Sequence, residues 1–201
     1  MEKVFWIDPY QHTLKTKVID INDNEILLEK TIAFSFSGGQ ESDRAYINNL
    51  EVTGSRIQDN LIFYQLSEDH NLLEQQDVVM TINWPRRYRL MRLHFAAELI
   101  LEIVTQKYQL EKVGAHIAES KARIDFKSDQ NIANYFEEIL SDYNEIIQKD
   151  LPIETDFSDF ENQRRFWKIQ GFAEVPCGGT HVKSTAEVGL KGHTLENQLN
   201  E

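Results

Sequence analysis

Asp77-Val78-Val79-Met80-Thr81-Ile82-Asn83-Trp84-Pro85-Arg86-Arg87-Tyr88-Arg89-Leu90-Met91-Arg92-Leu93-His94 is where the chain changes character. Residues 78–82 read as a short strand. Pro85 follows, and from about Tyr88 to Tyr108 the apolar side chains recur at helical spacing, with Leu93, Ala97, Ile100, Leu101 and Val104 on the expected buried stripe. Upstream, β-branched and aromatic runs at residues 4–7, 16–21, 25–28 and 60–64 alternate with turn signals at Asp8-Pro9, Asn22-Asp23-Asn24 and Gly38-Gly39. Residues 1–76 are therefore expected to form a small β domain of short antiparallel strands. Downstream, strand-like runs at 113–117 and 122–126 separate the first helix from a second over 132–148, where Ile132, Tyr135, Phe136, Ile139, Leu140, Tyr143, Ile146 and Ile147 recur at helical spacing. Residues 77–201 then form an α+β domain with helices packed on an antiparallel sheet, and the fold class is α+β. Neither an internal repeat nor a low-complexity segment interrupts this pattern.

Composition narrows the function. A formal charge of −12 over 201 residues excludes a uniformly basic nucleic-acid-binding surface, so any such contact must be local. One cysteine excludes an intramolecular disulfide framework. No charged leader with an apolar core opens the sequence, and no apolar run is long enough to cross a bilayer. The expectation is a cytoplasmic, reduced protein without a membrane anchor, in which the cysteine can remain a thiolate.

That cysteine lies in Pro176-Cys177-Gly178-Gly179-Thr180-His181-Val182. Gly178-Gly179 makes a helix unlikely there and a tight turn expected, and such a turn can fold Cys177 and His181 onto one point. His94 and Glu98 are four apart in an apolar stretch, which puts both on one helix face. Thiolate, imidazole and carboxylate are the groups that hold a zinc ion, usually four in a tetrahedron. His94, Glu98, Cys177 and His181 together offer such a set. A helix-face ion pair and a small buried cysteine are the bland alternatives for each half taken alone.

Each half is preceded by arginines among aromatics: Trp84-Pro85-Arg86-Arg87-Tyr88-Arg89 before His94, and Arg164-Arg165-Phe166-Trp167-Lys168 before Cys177. The guanidinium fork suits phosphate, and aromatic faces suit unstacked bases. Arg86, Arg87, Arg89, Arg164 and Arg165 are candidate phosphate contacts. For either patch alone the competing reading is a solvated helix start with Trp84 and Tyr88 in the core.

In order and spacing, the segments at 89–94, Lys121-Ala122-Arg123-Ile124-Asp125-Phe126, and 176–182 running on to Thr185-Ala186-Glu187-Val188-Gly189 resemble the editing domain of alanyl-tRNA synthetases. The free-standing alanyl-tRNA editing proteins, the AlaX family, are the nearer likeness. Asp8-Pro9-Tyr10, Thr31, Ser37-Gly38-Gly39-Gln40 and Asp43 resemble that family's N-terminal glycine-rich, barrel-like β domain, so the likeness covers nearly the whole chain. It implies a zinc-dependent hydrolase, one ion per chain, that removes a wrong amino acid, principally serine, from alanine tRNA. Thr31 and Gln40 become candidates for lining the pocket or its entrance, with a turn-stabilising role as the alternative.

Two departures stand out. The family helix usually reads His-x-x-x-His, whereas the second position here is Glu98. Glu98 either ligates zinc, cancelling the ion's charge together with a Cys177 thiolate, or stands beside a water in an open fourth position as general base. Beyond Val188-Gly189-Leu190 the family continues with a basic, glycine-containing segment, whereas this sequence reads Lys191-Gly192-His193-Thr194-Leu195-Glu196-Asn197-Gln198-Leu199-Asn200-Glu201, which bears on tRNA affinity more than on chemistry. The rival from another class is a non-catalytic, zinc-stabilised module that docks tRNA or a partner.

Overall fold

Strand β9 (Asp77–Ile82) is the hinge of the fold assignment, and it belongs with the residues before it. In the computed structural model, which describes residues 1–189, Val78, Met80 and Ile82 point into a core while Asp77 and Val79 face solvent. That period of two is what a half-buried strand requires. The chain divides into two units, the first comprising 1–37 and 41–88, the second 38–40 and the residues from Arg89 onward. The boundary thus falls after Tyr88 rather than after Gln76. The reason is pairing: β9 lies between two first-unit strands, and its buried face has nowhere else to go.

In the first unit, β1 (Glu2–Lys3) pairs in parallel with β4 (Lys30–Thr31). The remaining strands are β2 (Thr13–Asn22), β3 (Glu25–Leu28), β5 (Ala45–Ile47), β6 (Leu50–Glu51), β7 (Gly54–Gln58) and β8 (Leu61–Gln65). With β9 they form a seven-stranded sheet in the order β6-β5-β9-β2-β3-β8-β7, antiparallel throughout. The sheet curls because the ten-residue β2 pairs with β9 over its first half and with β3 over its second, with a register shift between Val18 and Asp20. β6 and β7 are its two edges, joined covalently through Val52 and Thr53, whose amides donate to Ala45 O and Gln65 O. Val18, Ile26, Leu28, Ile32, Ile47, Ile62, Leu66 and Met80 form the centre of the core, each at most 1% exposed. The expected strand at Val4–Ile7 is instead a 3-10 turn, Val4–Trp6, that buries Val4 and Phe5.

Helix α1 (Trp84–Tyr108) begins four residues before the expected start, with Pro85 inside its first turn where a missing N–H costs nothing, and from Arg89 onward it belongs to the second unit. From Leu90 to Val104 the helix is buried on most sides: Leu90, Met91, Phe95, Leu99 and Val104 are fully enclosed, and His94 is 3% exposed. A helix apolar nearly all round is a core helix. The two expected strands, β10 (Glu111–Ile117) and β11 (Ala122–Lys127), pair antiparallel as a hairpin whose Ile117 and Ala122 pack with Leu90 and Ala97. α2 (Phe136–Gln148) buries Ile139, Tyr143 and Ile147, one face at four-residue spacing. A three-stranded antiparallel sheet, β12 (Glu154–Asp159), β13 (Arg164–Ile169) and β14 (Ala173–Pro176), carries the chain to the cysteine turn, and α3 (Thr185–Val188) closes the described part. The architecture is α+β. Residues 190–201, and with them the atypical tail, lie outside the described residues.

Candidate metal centre

α1 and the turn after β14 supply the site. β13 alternates Arg165, Trp167 and Ile169 inward, and the Trp167 ring meets Phe95 of α1 edge-on at 5.1 Å. The Cys177 amide then donates to Arg165 O at 2.9 Å, which fixes where the turn leaves the sheet. The turn brings Cys177 Sγ to 3.3 Å from His94 Nε2 and sets the His181 ring edge-on to His94, centroids 5.1 Å apart. Gly179 is what permits this approach. A Cβ on that residue would lie 2.0 Å from His94 Cε1, so only glycine fits.

His94, Cys177 and His181 each present a ligand atom within 4.8 Å of the other two. In a tetrahedral zinc centre, bonds of about 2.0 Å to nitrogen or oxygen and 2.3 Å to sulfur give ligand edges of roughly 3.3 Å (N to O) and 3.5 Å (N or O to S). The 3.3 Å between His94 Nε2 and Cys177 Sγ is close to such an edge. Both ring nitrogens of His181 are buried without a hydrogen-bond partner. Buried polar atoms are almost always satisfied, and an ion beside the sulfur and the second imidazole would take the lone pair of one of these two nitrogens. The donor set fits zinc.

Glu98 stands against two of these three groups. Its Oε1 is 3.4 Å from His94 Nε2 and 3.8 Å from Cys177 Sγ, and its Oε2 accepts a hydrogen bond from Trp167 Nε1 at 2.8 Å. It is not a member of the mutually close set. Burial pushes its carboxyl up, but the hydrogen bonds and charge of His94, with Trp167 adding to them, bring it down to about 2. Glu98 is ionised. Burial likewise works against a charged His94, yet the Cys177 sulfur and Glu98 outweigh it and raise that imidazole to about 10. His181 is held well below the ordinary histidine range, first by burial and then by the neighbouring His94 charge, so it keeps a free lone pair.

The other residues singled out by sequence are distributed differently. Gln40 is fully buried, its Oε1 2.5 Å from His94 Nδ1 and its Nε2 donating to Thr180 Oγ1 at 2.9 Å. Thr31 sits in the core of the first unit: its hydroxyl bonds Tyr64 OH at 2.6 Å and accepts from the Ala33 amide at 3.1 Å. Arg87 is fully buried, and its guanidinium is bound by Asp43, by Pro9 O at 3.0 Å and by Ile32 O at 2.6 Å. This corrects its reading as a phosphate contact, because every nitrogen is already engaged inside the first unit. Arg86 is bound to Glu41 and to Ser42 O. Arg165 is 6% exposed, with its guanidinium over the Phe157 ring. Arg89, paired with Glu119, and Arg164 remain exposed. Trp167 was read only as part of an arginine-aromatic patch; its link to Glu98 joins residues 69 apart and left no local signal.

An α+β protein with a His/Cys/His cluster between a core helix and a Gly-Gly turn is of the kind that can hold a metal ion. Among proteins of known role, the chain is 32% identical over 193 residues to the alanyl-tRNA editing protein AlaX-M of Pyrococcus horikoshii, a match covering 93% of this chain and 87% of that protein. It is 28% identical to AlaX-M of Saccharolobus solfataricus, over 94% of this chain and 89% of the relative, and 27% identical to the alanine–tRNA ligase of Methanococcus maripaludis, where 94% of this chain covers 23% of the ligase. The chain belongs to the alanyl-tRNA editing protein family. No protein-family model matches it. Among the described residues, no helix is long and apolar enough to cross a membrane.

Proposed function

We propose that this protein is a zinc-dependent hydrolase that deacylates mischarged alanine tRNA, with the serine ester as its principal substrate. The observation that carries the reading is the doubly orphaned His181 imidazole beside Cys177 and His94. Family membership supplies the substrate class. An active site selecting alanine rejects serine weakly, since an apolar pocket discriminates poorly against one added hydroxyl, and a separate hydrolytic site restores selectivity.

His94, Cys177 and His181 would hold the ion, which when bound supplies a Lewis acid and a water of lowered pKa. Three protein ligands leave a position open, as catalytic zinc sites do. Glu98 is held through Oε2 by Trp167, and its Oε1 lies 3.4 Å from His94 Nε2, so that once this nitrogen serves the ion Oε1 can accept the proton of an attacking water. That proton can then pass to the ribose oxygen released when the ester C–O bond breaks. Arg89 and Arg164 are the exposed candidates for backbone phosphates, and such contacts weaken with salt.

One observation favours a second arrangement. The Glu98 Oε1 distances to His94 and Cys177 approach tetrahedral edges, so a small movement would make Glu98 a fourth ligand and close the sphere, as in a structural zinc module. The deciding experiment is deacylation of seryl- and alanyl-charged alanine tRNA by the purified protein, with and without a chelator. Rapid, chelator-sensitive loss of serine with alanine spared is expected. Equal, chelator-insensitive background rates for both substrates refute the enzyme.

A further inference from the structure

The second unit reaches back for three residues of the N-terminal sequence, Gly38–Gln40, and the chemistry proposed above gives them no task. Their backbone is specialised. Gly38 and Gly39 have φ of +59° and +88°, and a Cβ on Gly39 would lie 2.6 Å from Ala115 O. Gly39 O accepts from the Ile117 amide at 2.8 Å, and Gln40 forms an isolated parallel bridge with Ile117. Two glycines in the left-handed region, one pressed against a strand backbone, lay Gln40 along β10.

The orientation of the Gln40 amide follows from its partners. The Thr180 backbone N–H, which can only donate, is 3.3 Å from one amide atom of Gln40, so that atom is the oxygen. The nitrogen then donates to Thr180 Oγ1. The same oxygen lies 2.5 Å from His94 Nδ1, and an oxygen without a proton obliges Nδ1 to be the donor. His94 Nε2 is the atom nearest Cys177 Sγ. With the proton fixed on Nδ1, the lone pair of a neutral ring sits on Nε2, where a metal would be.

We infer that Gln40 is a positioning residue that holds the His94 proton on Nδ1, dedicating Nε2 to the metal and tying the ligand helix to the cysteine turn through Thr180. The inference rests on the metal reading above and adds to it a residue that touches neither ion nor substrate. Outer partners of this kind typically change metal affinity about 10–100-fold when removed.

The test uses full-length protein as wild type, Gln40→Glu, Gln40→Met and Gly39→Ala, with zinc affinity measured by chelator competition and the His94 ring nitrogens followed by NMR. Wild type and Gln40→Glu, which keep an acceptor at this point, should show a slowly exchanging proton on Nδ1 with or without zinc and bind zinc within a few-fold of each other. Gln40→Met should lose that protection and bind zinc about 10–100-fold more weakly, and Gly39→Ala, which displaces Gln40 without changing it, should shift the same way. A proton on Nε2 of zinc-loaded wild type, or wild-type zinc affinity in Gln40→Met, overturns the inference. If Gln40→Met fails to fold, the wild-type spectrum alone decides. If wild type binds no zinc, the metal reading falls, while the Nδ1 proton of the metal-free protein still tests the role of Gln40.

Discussion

Gly179→Ala is the smallest change that should dismantle the centre, and Gly178→Ala, one residue away, is its control. A Cβ on Gly179 would lie 2.0 Å from His94 Cε1, 2.6 Å from Nδ1 and 3.0 Å from Gln40 Oε1. Carbon atoms rest at about 3.5–4.0 Å, so either the imidazole or the turn must yield by roughly 1.5 Å. Neither can do so freely. His94 is enclosed on α1 and bonded to Gln40, while the turn is bonded to the sheet through Cys177 N and to Gln40 through Thr180 N. Overpacking of this kind costs about 1–3 kcal/mol, and for a chain of this length about 2 kcal/mol lowers the melting temperature by roughly 4–8 °C. A shift of that size is also large beside a zinc–ligand bond of about 2.0–2.3 Å, so zinc affinity should fall by about 100-fold. At Gly178 a Cβ would meet nothing within 4 Å, and no loss is expected. Chelator competition and thermal melting of both variants measure the two effects. Wild-type zinc affinity and melting temperature in Gly179→Ala, or equal losses in both variants, would refute the steric argument.

Two further substitutions separate fold from chemistry. Arg87→Met removes the cation from a pair whose side chains are both 0% exposed and leaves Asp43 buried without it, which should cost about 3–5 kcal/mol in urea denaturation; a loss under 1 kcal/mol would show that the pair does not hold the first unit. Glu98→Gln keeps the shape and an acceptor for Trp167 Nε1 but removes the base. Bound zinc should stay at one per chain while deacylation slows by about 100-fold or more, and loss of the zinc would make Glu98 a ligand instead.

The α+β class, the long helix and the strands β10 and β11 were legible because each is written in local periodicity. The unit boundary was not. β9 looks like any short strand, and its membership is decided by β2 and β5, whose pairing residues lie more than 30 positions away in sequence. Sheet β12–β14 was equally silent. Glu154-Thr155-Asp156-Phe157-Ser158-Asp159 is mostly exposed, so a strand held by hydrogen bonds rather than by a buried face shows no apolar period to read. Arg87 shows the same limit in a charged residue. Beside Arg86 and Arg89 it reads as part of a cationic patch, and only Asp43, 44 residues earlier, reveals that its charge is internal.

At the site, residue chemistry and short spacing brought His94, Cys177 and His181 into view, since few side-chain types can serve a soft ion and those that can are rare in this sequence. What spacing could not convey is how they are held. Trp167 reaches Glu98 from a strand 69 residues on, and Gln40 reaches His94 across 54. These partners carry no charge, and tryptophan and glutamine are common in structural roles, so Trp167 did not mark itself as functional and Gln40 came into view only through the family likeness, as a pocket-lining residue. Yet both act where a small displacement matters most, because a ring or carboxylate free to rotate would lose the alignment that an ion with fixed bond lengths demands. The ligands thus state which chemistry is available, while Gly179, Gln40 and Trp167 determine whether the atoms stand where that chemistry needs them. The replacement at residue 98 belongs to both groups at once. A carboxylate can accept a proton from water, but it must also take the Trp167 hydrogen bond to be held beside His94, and a histidine there would have only one neutral-ring nitrogen able to accept.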